Sequence, residues 1–132
     1  MRISLVTVVV PDYDDAIDFY VRCLGFTLKE DSPSLTGDGR PKRWVVVAPD
    51  GEGTALLLAQ AEGDSQRAAV GRQTGGRVGF FLHVDDFDAH FRRFTDNGVR
   101  FLEGPRDEVY GRVAVFADHI GNRWDLLGPP PS

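Results

Sequence analysis

The stretch VPDYDDAIDFYVRCLGFTL, residues 10–28, can be laid over VDDFDAHFRRFTDNGVRF, residues 84–101, with one residue absent before the second glycine. In each, a β-rich run leads to an aspartate and then to aromatic and apolar residues at helical spacing. Tyr13, Ile17 and Tyr20 correspond to Phe87, Phe91 and Phe94, and Gly25 corresponds to Gly98. Asp12 and Asp86 suit helix N-caps, because a short side-chain oxygen can accept from the unpaired amides of the first turn. The glycines suit the position after a helix, where a positive φ is common. The chain is therefore written twice, each half opening β then α.

The pattern continues beyond each helix. After Gly25 the sequence predicts a short strand from Phe26 to Lys29, a polar Gly/Pro loop from Asp31 to Pro41, a strand from Arg43 to Ala48, a turn at PDGEG and a strand from Thr54 to Gln60. After Gly98 it predicts a strand from Val99 to Leu102, a loop from Glu103 to Tyr110, a strand from Arg112 to Ala117, a turn at Asp118 to Asn122 and a strand from Asn122 to Leu127. The fold class is α+β, a single domain over residues 1–132 built from two tandem βαβββ modules. Module one spans about 1–60, a polar, mobile linker about 61–77, and module two about 78–128. With one helix on one face of each sheet, the other faces are expected to curve into a cup-shaped, partly closed mixed sheet.

Composition sets outer limits. A chain of 132 residues that is 42% apolar and 27% charged can bury one sizeable core. A formal charge of -5, with basic residues single or in short pairs such as Arg92-Arg93, argues against a nucleic-acid partner. MRISLVTVVV is β-branched, contains Ser4 and Thr7 and stops at Pro11-Asp12, so it reads as a buried strand rather than a leader. No apolar run approaches the ~18 residues that cross a bilayer, so no membrane partner is expected. The single Cys23 shares helical spacing with Tyr20 and Leu24. It reads as a buried core thiol in a cytoplasmic protein.

The pattern VxxPDxxxAIxFYxxxLGF over Val8 to Phe26, the closing run FxDxxGNxWDL over Phe116 to Leu126, and the duplicated βαβββ order resemble the vicinal oxygen chelate superfamily. That superfamily contains glyoxalase I, bleomycin-resistance proteins, extradiol dioxygenases and fosfomycin-resistance enzymes. The resemblance implies the fold more strongly than any activity, since one scaffold hosts lyases, dioxygenases, transferases and binding proteins. It also implies four metal-ligand positions, on the first and last strands of each half, filled in glyoxalase-like members by His or Gln and by carboxylates. Carried across, they fall on Leu5, seven residues before Asp12; Gly79, seven before Asp86; Leu57, four after Gly53; and Asp125, four after Gly121. Three of the four carry no donor, and one carboxylate does not hold a catalytic divalent ion against water. No metal and no cofactor are expected. Glyoxalase I or extradiol dioxygenase activity is disfavoured, and whether the chain is an enzyme at all stays open.

The candidate ligand-binding residues are Leu5, Thr7, Trp44, Leu57, Phe81, His83 and Asp125. Alternation along the strands puts His83 and Phe81 on the face of Gly79, and Leu5, Thr7 and Leu57 in an apolar lining. Trp44, beside the Gly/Pro loop, reads either as a stacking surface at the rim or as a packed core residue, whereas Trp124, next to Asp125, faces the helices as core. Asp125 has two readings of equal weight. It pairs with Arg43, Arg112 or Arg123, or it accepts a hydrogen bond from a ligand; a role as general base would need burial without an arginine partner.

Three functions follow. The first is a metal-free protein that binds, or confers resistance to, a small drug-like or aromatic molecule, acting as a homodimer. The alternative is a lyase- or dioxygenase-like enzyme with a non-standard metal site at His83 and Asp125. The third is an adaptor whose useful surface is a dimer interface.

Overall fold

Asp12 and Asp86 both cap helices: Asp12 Oδ2 accepts from the Asp15 amide at 2.8 Å, and Asp86 Oδ1 from the Ala89 amide at 3.1 Å. The computed structural model describes residues 1–130, and the chain divides into two units, residues 1–73 and residues 74 onward.

The first unit carries β1 (Leu5–Val10), α1 (Tyr13–Ile17) running into a π-helical segment (Asp18–Cys23), β2 (Thr27–Leu35), β3 (Pro41–Ala48), β4 (Ala55–Gln60) and α2 (Gly63–Ala69). Its mixed sheet has the order β1-β4-β3-β2, with β1 parallel to β4. The second unit carries β5 (Val78–His83), α3 (Phe87–Asp96), β6 (Arg100–Glu108), β7 (Gly111–Ala117) and β8 (Arg123–Gly128), in the equivalent order β5-β8-β7-β6. Both sheets are mixed and four-stranded, as the α+β reading of two βαβββ modules requires, and neither is closed.

The one-residue difference between the two helical segments has a physical counterpart. The Val99 amide reaches back five residues to the Phe94 carbonyl, whereas its counterpart, the Phe26 amide, reaches back six to Tyr20. The extra residue of the first half is absorbed as a π-turn, in which the Leu24 amide donates to Phe19 rather than to the residue four back. Both segments then reverse at a glycine with positive φ, 77° at Gly25 and 87° at Gly98.

Strand alternation divides each sheet into two faces. In the first unit Val8, Val10, Val45, Val47, Leu56 and Leu58 are buried, and α1 packs against β3 and β4 with Tyr13 and Ala16 inward. In the second unit α3 packs against β8, and its Phe94 meets Phe116 edge-on with centroids 5.7 Å apart. Trp124 stacks on Phe80 at 4.5 Å and on Phe116 at 5.7 Å, the core position its alternation with Asp125 predicts. Cys23 is buried as well.

Two expected loops are largely strand, with true connections left only at residues 36–40 and 109–110. β2 runs on to Leu35 and β6 to Glu108, through Pro33 and Pro105. Both are edge strands, where a proline costs no ladder bond, and the register shifts between Phe101, Glu103 and Arg106 absorb Gly104-Pro105. The segment expected to be a mobile linker holds α2, whose entry is closed by the Glu62 amide donating to Gln66 Oε1 at 2.9 Å. Beyond α2, the Gln73 side chain spans two residues of the β1 edge, accepting from the Val9 amide at 3.0 Å and donating to the Thr7 carbonyl at 2.9 Å. Its amide fills hydrogen-bond positions that another strand would otherwise take.

Candidate functional site

Each unit turns one sheet face away from its helix, and the candidate residues lie on these faces. In the first unit Thr7 pairs with Leu57, and Leu57 with Val46, so one row on this face reads Thr7, Leu57, Val46. Leu5 is two residues from Thr7 and Trp44 two from Val46, on the same face by alternation. Trp44 and Leu57 line a groove of about 410 Å³ between the β3-β4 end of the sheet and α2. Leu5 and Thr7 share the face but not the groove. Sequence reasoning missed the groove's other walls, Lys42, Ala59, Gln66 and Arg67. Alternation from Trp44 would have found Lys42; α2 lay in what read as linker.

In the second unit two rows cross the face away from α3. One reads Phe81, Asp125, Val115, Glu103, and the next reads His83, Leu127, Val113, Arg106. Phe81 and His83 are exposed, Val113, Val115 and Leu127 are buried, and Asp125 is half-buried between them. Glu103 and Arg106 were hidden from the sequence reading because both were placed in a loop.

The three arginines considered for Asp125 do not pair with it. Arg43 is held by Asp31 at 2.7 Å and Asp14 at 2.9 Å and lies over the Tyr13 ring. Arg112 is held by Asp88 at 2.8 Å and Asp107 at 3.2 Å. Arg123 is exposed and makes no ion pair with Asp125 among the described residues. The Oδ1 atom of Asp125 is buried with no hydrogen-bond partner. Burial pushes the carboxyl above its ordinary value; Arg106 pulls it back and Glu103 adds a smaller push upward. Arg106 itself is turned to Glu108 at 2.9 Å and Glu103 at 3.4 Å. An acid with a buried, unsatisfied oxygen is costly in the folded chain, and a donor brought by a ligand would relieve that cost.

The opening acid of the final turn behaves oppositely. Buried Asp118 accepts from the Ile120 amide, from the Asn122 amide and side chain, and from the Trp124 indole. It is a structural hub, whereas Asp125 is unspent.

The donor set for a metal does not fit. Leu5, Leu57 and Gly79 offer no ligand atom, and His83 lies diagonally from Asp125, beside Leu127 on the neighbouring strand. Among the described residues no group of three or more His, Cys, Asp or Glu side chains is placed to hold a metal ion. Protein equilibrated with Ni, Zn, Mn or Fe(II) and desalted is expected to retain no stoichiometric ion. One tightly held ion per chain by elemental analysis, lost on Asp125→Ala, would contradict this.

The described residues contain no helix long and apolar enough to cross a membrane. The family model described as the Glyoxalase/Bleomycin resistance protein/Dioxygenase superfamily matches residues 2–126. An uncharacterized protein of Shewanella frigidimarina (strain NCIMB 400) is 49% identical over 123 residues, covering 92% of this chain and 89% of that protein. Among solved structures, UcmS2 aligns with a TM-score of 0.79 at 30% identity, covering 96% of this chain and 97% of that one. TnmS3, an antibiotic binding protein from Streptomyces sp. CB03234, aligns with a TM-score of 0.77 at 35% identity, covering 98% and 96%. Matched over nearly its whole length by the model and by these relatives, the chain belongs to the Glyoxalase/Bleomycin resistance protein/Dioxygenase superfamily.

Proposed function

We propose that this protein is a metal-free small-molecule binding or resistance protein whose ligand, drug-like or aromatic, carries an amine or hydroxyl that reaches Asp125. The observation that carries the reading is the buried, unsatisfied Oδ1 of Asp125, set between exposed Phe81 and buried Val115. Phe81, 61% exposed, supplies apolar contact area. His83 lies beside it on the same face. On the first unit, Leu5, Thr7, Trp44 and Leu57 form the corresponding lining. The antibiotic-binding neighbour supports the ligand class by likeness alone.

The alternative of a lyase- or dioxygenase-like enzyme holding a metal through His83 and Asp125 lacks a third donor. A metal-free catalytic role keeps one support: Asp125 is half-buried without an arginine partner, the environment a general base needs. The test is a thermal-shift screen of cationic aromatics and antibiotics against wild type and Asp125→Asn. Amine-bearing compounds should stabilise wild type and lose that effect in the variant. No hits, or hits indifferent to the substitution, would remove the reading.

The protein is further proposed to act in the cytoplasm as a homodimer. β2 and β6 leave open sheet edges, and a two-fold pairing would cover such surfaces in both chains at once. Sedimentation velocity at micromolar concentration is expected to give a dimer, and a monomer would refute the assembly.

A further inference from the structure

The groove of the first unit has a charge pattern opposite to that around Asp125. Its walls carry Arg40, Lys42, Arg43 and Arg67 against a single acid, Glu62. Arg43 is neutralised twice, by Asp14 and Asp31. Arg40 is bridged to Asp38 at 3.0 Å and more loosely to Glu62 at 3.6 Å, and Arg67 to Asp64 at 2.8 Å, all through exposed side chains. The Lys42 side chain makes no hydrogen bond or ion pair among the described residues, its backbone being paired with Ser34 of β2. It stands two residues from Trp44 on the same face of β3, since the alternation is fixed by fully buried Val45 and Val47. In β2, Ser34 and Ser32 are their cross-strand partners.

Each wall has a use. The Trp44 ring, 37% exposed, presents a flat apolar surface. Ala59, next to Leu58 on β4, leaves room above the sheet that a larger side chain would fill, and Leu57 extends the apolar floor. Gln66 and Arg67 of α2 close the far side. A volume of about 410 Å³ lies within the range of small-ligand pockets. An ammonium group entering here meets an unpaired lysine and no unpaired acid. An anion meets Lys42 directly, while Arg40 and Arg67 can turn from exposed ion pairs that contribute little.

We infer that this groove binds a planar aromatic anion, its ring on Trp44 and its carboxylate or sulfonate on Lys42. The inference rests on reading the chain as a small-molecule binding protein, but on side chains other than Asp125, so the two fail separately. Three naphthalene probes test it by calorimetry at low salt on Asp125→Asn protein, in which the acceptor for amines in the second unit is removed: naphthalene-2-sulfonate, 2-naphthylmethanol and 2-naphthylmethylammonium. The sulfonate should bind about threefold to fivefold tighter than the alcohol, the size of one exposed charge contact, with the ammonium weakest. In that background Lys42→Gln should erase the gap between sulfonate and alcohol, Lys42→Arg should keep it, and high salt should close it while Lys42 is present. Trp44→Ala should weaken all three alike. Equal binding of the three probes, a preference for the ammonium, no binding of any, or a gap that survives Lys42→Gln would each overturn the inference. The amine screen with Asp125→Asn is a separate measurement, whose failure leaves the sulfonate series standing.

Discussion

Trp124→Ala is expected to cost about 3–5 kcal/mol of unfolding free energy, a large share of the roughly 5–15 kcal/mol typical of a domain. The side chain is 3% exposed and stacks on Phe80 and Phe116, and Phe116 in turn meets Phe94 and Phe101. Removing it leaves a cavity where α3, β5, β7 and β8 converge, and the aromatic rings around it cannot all close in. The Asp118 turn also loses its indole donor. Trp124→Phe keeps the stacking and gives up little beyond that donor, so it should cost only about 1–2 kcal/mol. Trp44→Ala, on an exposed groove wall, should cost about 1 kcal/mol or less. Urea unfolding of the three variants gives the comparison. A Trp44→Ala loss equal to that of Trp124→Ala would mean that Trp44 is a core residue and not a binding surface.

The burial of Trp124 was legible in the sequence, because period-two alternation depends only on which strand a residue occupies, whereas Trp44 read nearly as well as core as rim. The duplicated helix signals were legible for a similar reason. An aspartate cap, an aromatic stripe and a terminal glycine act within one helix and need no distant partner, so Asp12, Asp86, Gly25 and Gly98 could be placed without tertiary information. The extra residue of the first half was visible as a gap, but its resolution into a π-turn depends on packing the Phe19 and Tyr20 rings on the same core. What failed was edge strands and charge partners. Pro33, Gly104 and Pro105 are loop signals in general and became strand residues only because β2 and β6 lie at sheet edges, a fact of topology. Asp125 was placed on the correct strand and face, yet the choice between arginine partner and vacant acceptor was unreadable. It depended on Asp14, Asp31, Asp88 and Asp107 taking Arg43 and Arg112 first.

With no arginine committed to it, Asp125→Asn should move folding and binding in opposite directions. In the ligand-free protein the folded carboxyl is raised above its unfolded value, with burial as the main cause. Such a group binds its proton more tightly when folded, so the stability it contributes is complete below the unfolded value near pH 3.9 and is lost as pH rises through the folded value. Asparagine has the same shape and does not titrate. The variant should therefore match wild type only below about pH 3.9 and melt at a higher temperature at neutral pH, with the gap opening as pH rises through the folded value. Binding should go the other way. An amine-bearing ligand loses a charge-assisted hydrogen bond of roughly 1.5–3 kcal/mol, about tenfold to a hundredfold in Kd, and its affinity for wild type should rise with pH as Asp125 ionises. Melting curves with and without an amine hit, from acid to neutral pH, read both effects in one experiment, since a ligand bound only to the folded state adds RT ln(1 + [L]/Kd). A variant less stable than wild type at neutral pH would show that the carboxylate has a favourable partner in the fold, and the acceptor would then not be vacant for a ligand.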